Sequence, residues 1–478
     1  MATAAPARKS REVIGAKHDG AGKEGTTKNG ATKTGPVPAE VRRKIEQGLE
    51  FFLCSFVEMS GIPKAKLVPS THVDDMAVEG AGFAGFAAGD IGQGPHSPDL
   101  MAIPDFRSLT MLPWRKNISW VAGNAFVEGK SWKYCPRTIL QRVIAKALAD
   151  HNLVFKTGVE AEFFLVRQEN GRFAPWDAAD NAQKPCYDLR VLSHNLDICT
   201  SLVKYMQEVG WDPYANDHED ANCQFEINWT YSDALTTADR HVFFRYMVKQ
   251  IAEQHDLLAT FMPKPFHNLT GNGAHFHMSL WDSRSDRNLF LDDSDPLGLS
   301  KMAYHFIGGI KAHARAMAAV TNPLVNSYKR LIVGAPRSGA TWAPVYVTYG
   351  GNNRTQMIRI PGPGRIEVRT VDGATNPYLA AAVMLAAGLD GVTRKLDAGK
   401  ANQRNLYDVP PEVLRKEGIE FLPSSLDEAL DALEGDPVIR GALGEEYADY
   451  YIATKRDEWK THQRMVSDWE REQYLVAF

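Results

Sequence analysis

The sequence predicts an α+β fold, and three observations carry that expectation. Segments 158–165, 224–228, 271–279 and 365–369 alternate charged and apolar residues with period two, so each strand has one charged and one apolar face. Between them lie stretches with apolar residues at helical spacing, near 139–148, 194–209, 237–255 and 375–397. A strand apolar on one face needs something behind it, so helices are expected to cover the back of one sheet. The composition, 44% hydrophobic and 23% charged over 478 residues, is that of a soluble globular chain with a large core.

Taken in order, residues 1–37 read as a disordered basic tail. The first 35 carry seven Lys/Arg against three acids and almost no large apolar residue, too little to order a segment. Val41, Ile45, Leu49 and Phe52 predict a helix over 39–53. From Ser55 to about Tyr134 the pattern is short strands and glycine-rich loops. Gly80-Ala81-Gly82-Phe83-Ala84-Gly85 spells GxGxxG there, but the acidic stretch before it and the glycines after it do not make the strand and helix a dinucleotide site needs. The composition shifts at Cys135-Pro136-Arg137, where proline opens a helix. Domains are expected at 38–135 and 136–478. The C-terminal quarter reads as helical and charged.

The formal net charge of −4 gives no reason to expect nucleic acid or an anionic membrane as partner. Five cysteines with no CxxC pair suggest free thiols in a reducing compartment. No apolar run reaches membrane length, so a cytoplasmic location is expected.

The charged faces carry the chemistry. Arg365, Glu367 and Arg369 share one face, Glu160 and Glu162 another, His275 and His277 a third, and Glu226 joins Gln224 and Asn228. Each alone reads as a solvated strand face. Together they read as one cavity, because a carboxylate between guanidiniums over an apolar back is costly unless that face lines a wet, charged space. Acids with a histidine favour Mg²⁺ or Mn²⁺ over zinc, and arginines beside such ions suit a polyphosphate. No GxxxxGK[ST] is present. The residues alone thus lead to metal-dependent phosphoryl transfer from a nucleotide, with the acceptor open.

From about Gly48 to the C-terminus the chain resembles glutamine synthetases. The motifs are GxExEFFL (158–165), HE…QxEI (218–227), GNGAHFHMSLW (271–281), NSYKRL (326–331), NNRTQMIRIP (352–361), RIEVR (365–369) and NPYLAAA (376–382). The resemblance implies an N-terminal β-grasp domain, a C-terminal α/β catalytic domain with an active-site sheet backed by helices, and rings, usually homododecamers, with each site between neighbours. It implies that Glu162, Glu219 and Glu226 bind one metal and Glu160, His275 and Glu367 another, with two or more Mg²⁺ or Mn²⁺ per site. Gly271, Arg330 and Arg369 would hold glutamate, while His277, Ser279, Arg354, Arg359 and Arg365 would contact ATP. Arg354 would also neutralise the transferring phosphoryl group. ATP would phosphorylate the γ-carboxylate, and an amine would then displace phosphate.

Two departures bear on the amine. Where the family carries PGYEAP, this chain has Gly339-Ala340-Thr341-Trp342-Ala343-Pro344, so Trp342 replaces the flap glutamate. Glu58 stands where the family places an aspartate for ammonium in the neighbour's site, while Tyr187 and Glu219 match the rest of that pocket. Loss of an acid and gain of an aromatic face favour an alkylammonium. The pattern resembles the type III subgroup, which includes glutamate–methylamine ligases. Ammonia, or bulkier amines such as isopropylamine or aniline, remain alternatives. An inactive relative is disfavoured by the intact ligand set. Asn405-Leu406-Tyr407-Asp408 resembles the tyrosine some bacterial glutamine synthetases adenylylate, but a surface loop tyrosine is expected.

Overall fold

Two sheets divide the strands by chain order, and the second carries every charged-face segment of the sequence. The computed structural model describes residues 37–332 and 343–478, and these pack as one compact unit. The basic tail expected at 1–37 lies, but for Val37, outside the described residues.

The first sheet is built from β1 (Phe51–Val57), β2 (Pro63–Pro69), β3 (Ala81–Phe83), β4 (Leu100–Pro104), β5 (Thr110–Leu112), β6 (Arg115–Val127) and β7 (Lys130–Ser131). Its order is β2–β1–β6–β4–β3, with β5 and β7 also on β6, and β1 runs parallel to β6. The helix expected over 39–53 is shorter. It spans Ala39–Glu46, and β1 begins at Phe51. Gly48 at φ +107° is outside helical space. Leu49 and Phe52, which prolonged the apolar spacing, are buried in the core of this sheet instead.

The second sheet takes β8 (Leu153–Glu169), β9 (Arg172–Pro175), β10 (Pro213–His218), β11 (Gln224–Trp229), β12 (Ser232–Asp233), β13 (Leu258–Thr260), β14 (Ala274–Asp282), β15 (Tyr349–Gly350), β16 (Ile358–Gly362) and β17 (Arg365–Val368). Its main path is β10–β11–β8–β14–β17–β16–β15. The apolar faces anticipated from alternation are buried in the core beneath the helices. Phe163 lies 5.7–6.3 Å, ring to ring, from Phe225, Phe244 and Phe261. Helices Pro136–His151 and Ala234–Gln254 pack on β8, and the apolar helix Pro377–Arg394 packs on both of them. The C-terminal quarter is helical, as anticipated. All five cysteines are free thiols. No described helix is long and apolar enough to cross a membrane.

Buried polar ties join the first sheet to these helices. Arg137 donates to Asp239 at 2.8 and 2.9 Å, to Asn124 at 2.9 Å and to Asp105 at 2.9 Å. Tyr378 donates its hydroxyl to Asp239 at 2.6 Å. Asn376 caps its helix through Tyr378 N–H and donates to the carbonyls of Glu58 and Met59.

A second tie holds the C-terminal helices. His313 lies 2.6 Å (Nδ1) from Asp436 and 3.1 Å (Nε2) from Asp390. Both nitrogens donate only in the imidazolium. Burial opposes that charge, but the two carboxylates outweigh it and raise the pKa above 6.5. The folded state therefore holds this proton more tightly than the unfolded chain. Its stabilisation is complete below the ordinary histidine pKa and fades as pH rises through the higher folded value. His313→Gln should cost about 1–3 kcal/mol in urea unfolding near pH 6 and clearly less near pH 9. Equal cost at both would rule out the charged form.

Candidate active site

Strand register turns separate charged segments into one row. Asp217 on β10 faces Glu226 on β11, and Glu226 faces Glu162 on β8. Two residues along β8, Glu160 faces His275 on β14. On the same face of β14, His277 faces Glu367 on β17, and Glu367 faces Arg359 on β16. Like charges directly opposite across strands repel, so this face is stable only with fixed dipoles and counter-charges around it.

Those partners are present. Glu162 accepts from Gly273 N–H at 2.6 Å and from Gln224 Nε2 at 3.0 Å, and Asn228 donates to Glu226 at 2.8 Å. Glu367, fully buried, accepts from Arg369 at 2.6 Å and Arg359 at 2.8 Å. Burial opposes its charge, yet Arg369, His277 and His275 hold its carboxyl below the usual range. Glu160 behaves alike, since burial is outweighed by His277 and His275. Glu219 and Glu226 do not find such relief. Burial, then Glu162, pushes Glu219 up to about 8, and burial with Glu160, Glu219 and Glu162 raises Glu226 well above 4.5.

A divalent cation would remove that cost, and the donor set fits one. Glu160, His275 and Glu367 form one group and Glu162, Glu226 and His275 another, each with ligand atoms within 4.8 Å of one another. His275 Nε2 is buried without a hydrogen bond, 3.5 Å from Glu162 Oε1. Carboxylates with one imidazole suit Mg²⁺ or Mn²⁺. Glycine is required beside these groups. A Cβ on Gly273 would meet His275 Nε2 at 2.7 Å and Arg330 at 2.8 Å, and one on Gly271 would meet the Pro263 carbonyl at 2.2 Å.

The space divides into two chambers that share Glu160. The larger, about 1040 Å³, gathers Glu160, Glu162, Glu219, Glu226, His275, Tyr187, Gly271, Arg330, Arg354, Arg359 and Arg369. The smaller, about 500 Å³, gathers His277, Ser279 and Arg365. Glu219 lines the same chamber without joining either close grouping, and His275 belongs to both. Glu58 is not brought to the cavity of its own chain. It is 3% exposed, its carboxylate accepts from Ser60 and Ile62 N–H, and its turn is tied to Asn376. Trp342 lies outside the described residues. Tyr407 is not the surface tyrosine expected. Its hydroxyl is buried, and burial raises its pKa despite the nearby charges of Arg369 and Arg330.

Other lining residues had gone unassigned. Lys156 and Trp281 continue the charged faces of β8 and β14, and Asp217 continues that of Glu219, so extending the alternation would have found them. Lys156 Nζ lies 3.7 Å from the Trp281 ring centre, and Tyr231 packs on the same ring at 6.2 Å. Cys186, Lys264, His267 and Asn268 reach the large chamber from loops, where no periodic signal exists.

A family model described as the glutamine synthetase catalytic domain matches residues 133–474. The chain belongs to the glutamine synthetase family. A glutamine synthetase of Rhizobium meliloti (strain 1021) is 47% identical over 432 residues, covering 90% of this chain and 97% of its own. A glutamate–methylamine ligase of Methyloversatilis universalis is 44% identical over 445 residues, covering 92% and 100%. A solved GmaS/ADP complex, 48% identical, matches with a TM-score of 0.86 over 91% of this chain and 99% of that one. The fold is that of the glutamine synthetase family, and the chain is a carbon–nitrogen ligase of that family.

Mn²⁺ or Mg²⁺ should raise the melting temperature, since an ion at about 100 times its Kd stabilises by about 2.7 kcal/mol. Glu226→Gln and Glu367→Gln should each shrink that rise in a thermal-shift titration. An undiminished rise in both variants would place the ions elsewhere.

Proposed function

We propose that this protein joins the γ-carboxylate of L-glutamate to an amine, with methylamine preferred, using ATP and passing through γ-glutamyl phosphate to give a γ-glutamylamide, ADP and phosphate. The observation that carries this reading is the double chamber. Aromatic and cationic walls at Tyr231, Trp281 and Lys156 form one end, and the acid- and arginine-lined space forms the other, with Glu160 between.

A nucleotide fits the smaller chamber with its base toward Trp281 and its phosphates toward His277, Ser279, Arg359 and Arg365. Glutamate fits the larger one, held by Arg330, Arg369 and the Gly271 backbone. Mg²⁺ or Mn²⁺ held by Glu160, His275 and Glu367, and by Glu162, Glu219 and Glu226, would neutralise two anions that must approach each other. Arg354 adds positive charge where the phosphoryl group moves. Glu219 and Tyr187 face the side from which an amine attacks, and Glu219 is positioned to accept its proton. Copies of the chain would assemble into rings, and light scattering on the purified protein that gave an active monomer would contradict a site completed by a neighbour.

Methylamine is favoured by the sequence at Trp342 and by similarity to the Methyloversatilis ligase and to GmaS structures. The Rhizobium meliloti relative favours ammonia as the alternative. Aromatic burial of one methyl contributes about 1 kcal/mol, at about 25 cal/mol per Å², and a cation–π contact about as much. Selectivity for methylamine over ammonia should thus be about ten- to a hundredfold, read as kcat/KM from phosphate release with a panel of amines. Ammonia giving the highest value would sink the methylamine reading. Trp342→Glu should shift the ratio toward ammonia, chiefly by weakening alkylamine use. An unchanged ratio would move selectivity to the Tyr187 side of the chamber.

A further inference from the structure

β10 is the edge strand of the second sheet within this chain, and among the described residues no further strand braces it. It nevertheless leads directly into Glu219 and carries Asp217 on the cavity side. Between these two, alternation turns His218 to the opposite face, where it is fully buried and edge-on to Phe225 at 5.3 Å. There it meets Asp180, and both side chains are 0% exposed. His218 Nε2 donates to Asp180 at 2.7 Å. The same carboxylate accepts from Asn222 Nδ2 at 3.0 Å and from Cys223 N–H.

Asp180 belongs to the loop that passes from behind β10 to the cavity, which it enters at Cys186 and Tyr187. Tyr187 has φ +62°, a left-handed conformation costly for a bulky residue and kept only where the surroundings impose it. Its N–H donates to the His218 carbonyl at 3.0 Å. Asn222, already bound to Asp180, also donates to the Ala182 carbonyl at 3.2 Å in the same loop. One buried residue thus fastens the loop, the edge strand and the turn after it at a single point.

We infer that the Asp180–His218 pair is a positioning device for the amine side of the site: it sets Tyr187 and Glu219 relative to each other without touching substrate. This rests on the reading of Tyr187 and Glu219 as the amine side. Glutamate and nucleotide are held elsewhere, by inner strands and the arginines, so loosening this point should act chiefly on the amine. A shift of about 1 Å in a positioned group is enough for a large kinetic loss.

The test uses steady-state phosphate release by the full chain with ATP, glutamate and whichever amine the wild type uses best, so a different amine preference leaves the inference testable. Asp180→Ala should raise the amine KM at least tenfold, lower kcat at saturating amine by a smaller factor, and leave KM for glutamate and ATP within twofold. Asp180→Asn, which keeps one acceptor oxygen, should recover most of the loss. Mn²⁺ affinity, measured calorimetrically without substrates, should fall by less than the amine KM rises, since the ligands beside Glu219, namely Glu162, Glu226 and His275, lie on inner strands. An unchanged amine KM overturns the inference. So does a parallel rise in all three KM values, or a matching loss of Mn²⁺ affinity, which would make the pair a general or metal-site support. If Asp180→Ala does not fold, His218→Asn is held to the same criteria.

Discussion

Carboxylates facing one another across three neighbouring strands are the constraint on which this structure depends. Asp217, Glu226 and Glu162 stand in direct register, where like charges repel. The strands stay paired because their other face is apolar but for His218, with Phe163, Phe225, Ile227 and Ala161 buried beneath helices. Burying that face contributes on the order of 25 cal/mol per Å², enough for the core to impose the register and for the charged face to accept it. What repulsion remains is directed into a cavity where cations and substrate charges can relieve it.

The same economy of space explains the glycines of the GNG motif. Gly271 and Gly273 let the backbone pass close to Arg330, His275 and Glu162, and Gly273 N–H becomes a fixed donor to Glu162. Any side chain there would push the arginine away from the acids. Further out, Arg137 and Asn376 connect the first sheet to the helices that back the second. Arg137 is 2% exposed, and a buried guanidinium of this kind is tolerated because Asp239, Asp105 and Asn124 satisfy it. The charged face is therefore held from behind by packing and from the side by a small number of fully satisfied polar ties.

Much of this was legible in the sequence, because strand alternation and helical spacing are local properties. The faces of β8, β11, β14 and β17, and the set of acids, histidines and arginines they carry, follow from period two alone. The same rule carried further along β8 and β14 reaches Lys156 and Trp281. The family resemblance added the roles suggested for those residues, and six of its seven motifs contribute residues to the two chambers, NPYLAAA lying in the helix behind them.

What the sequence left open depended on contacts between distant segments. Register decided that His275 falls within reach of two groups of acids. A left-handed glycine ended the first helix at Glu46 where apolar spacing ran on. The turn after β1 closed on its own carboxylate, so Glu58 is tied down rather than offered to the cavity of its chain. Tyr407 looks like a loop residue in sequence, yet its hydroxyl is buried near the arginines of the large chamber. Asp180 and His218 are 38 residues apart and meet only because a loop returns behind an edge strand. By itself the sequence determined which chemistry sits on which face of each strand, since that depends on neighbours one and two residues away. Only the tertiary structure decided which of those faces meet, and which loop side chains join them, since that depends on how the whole core packs.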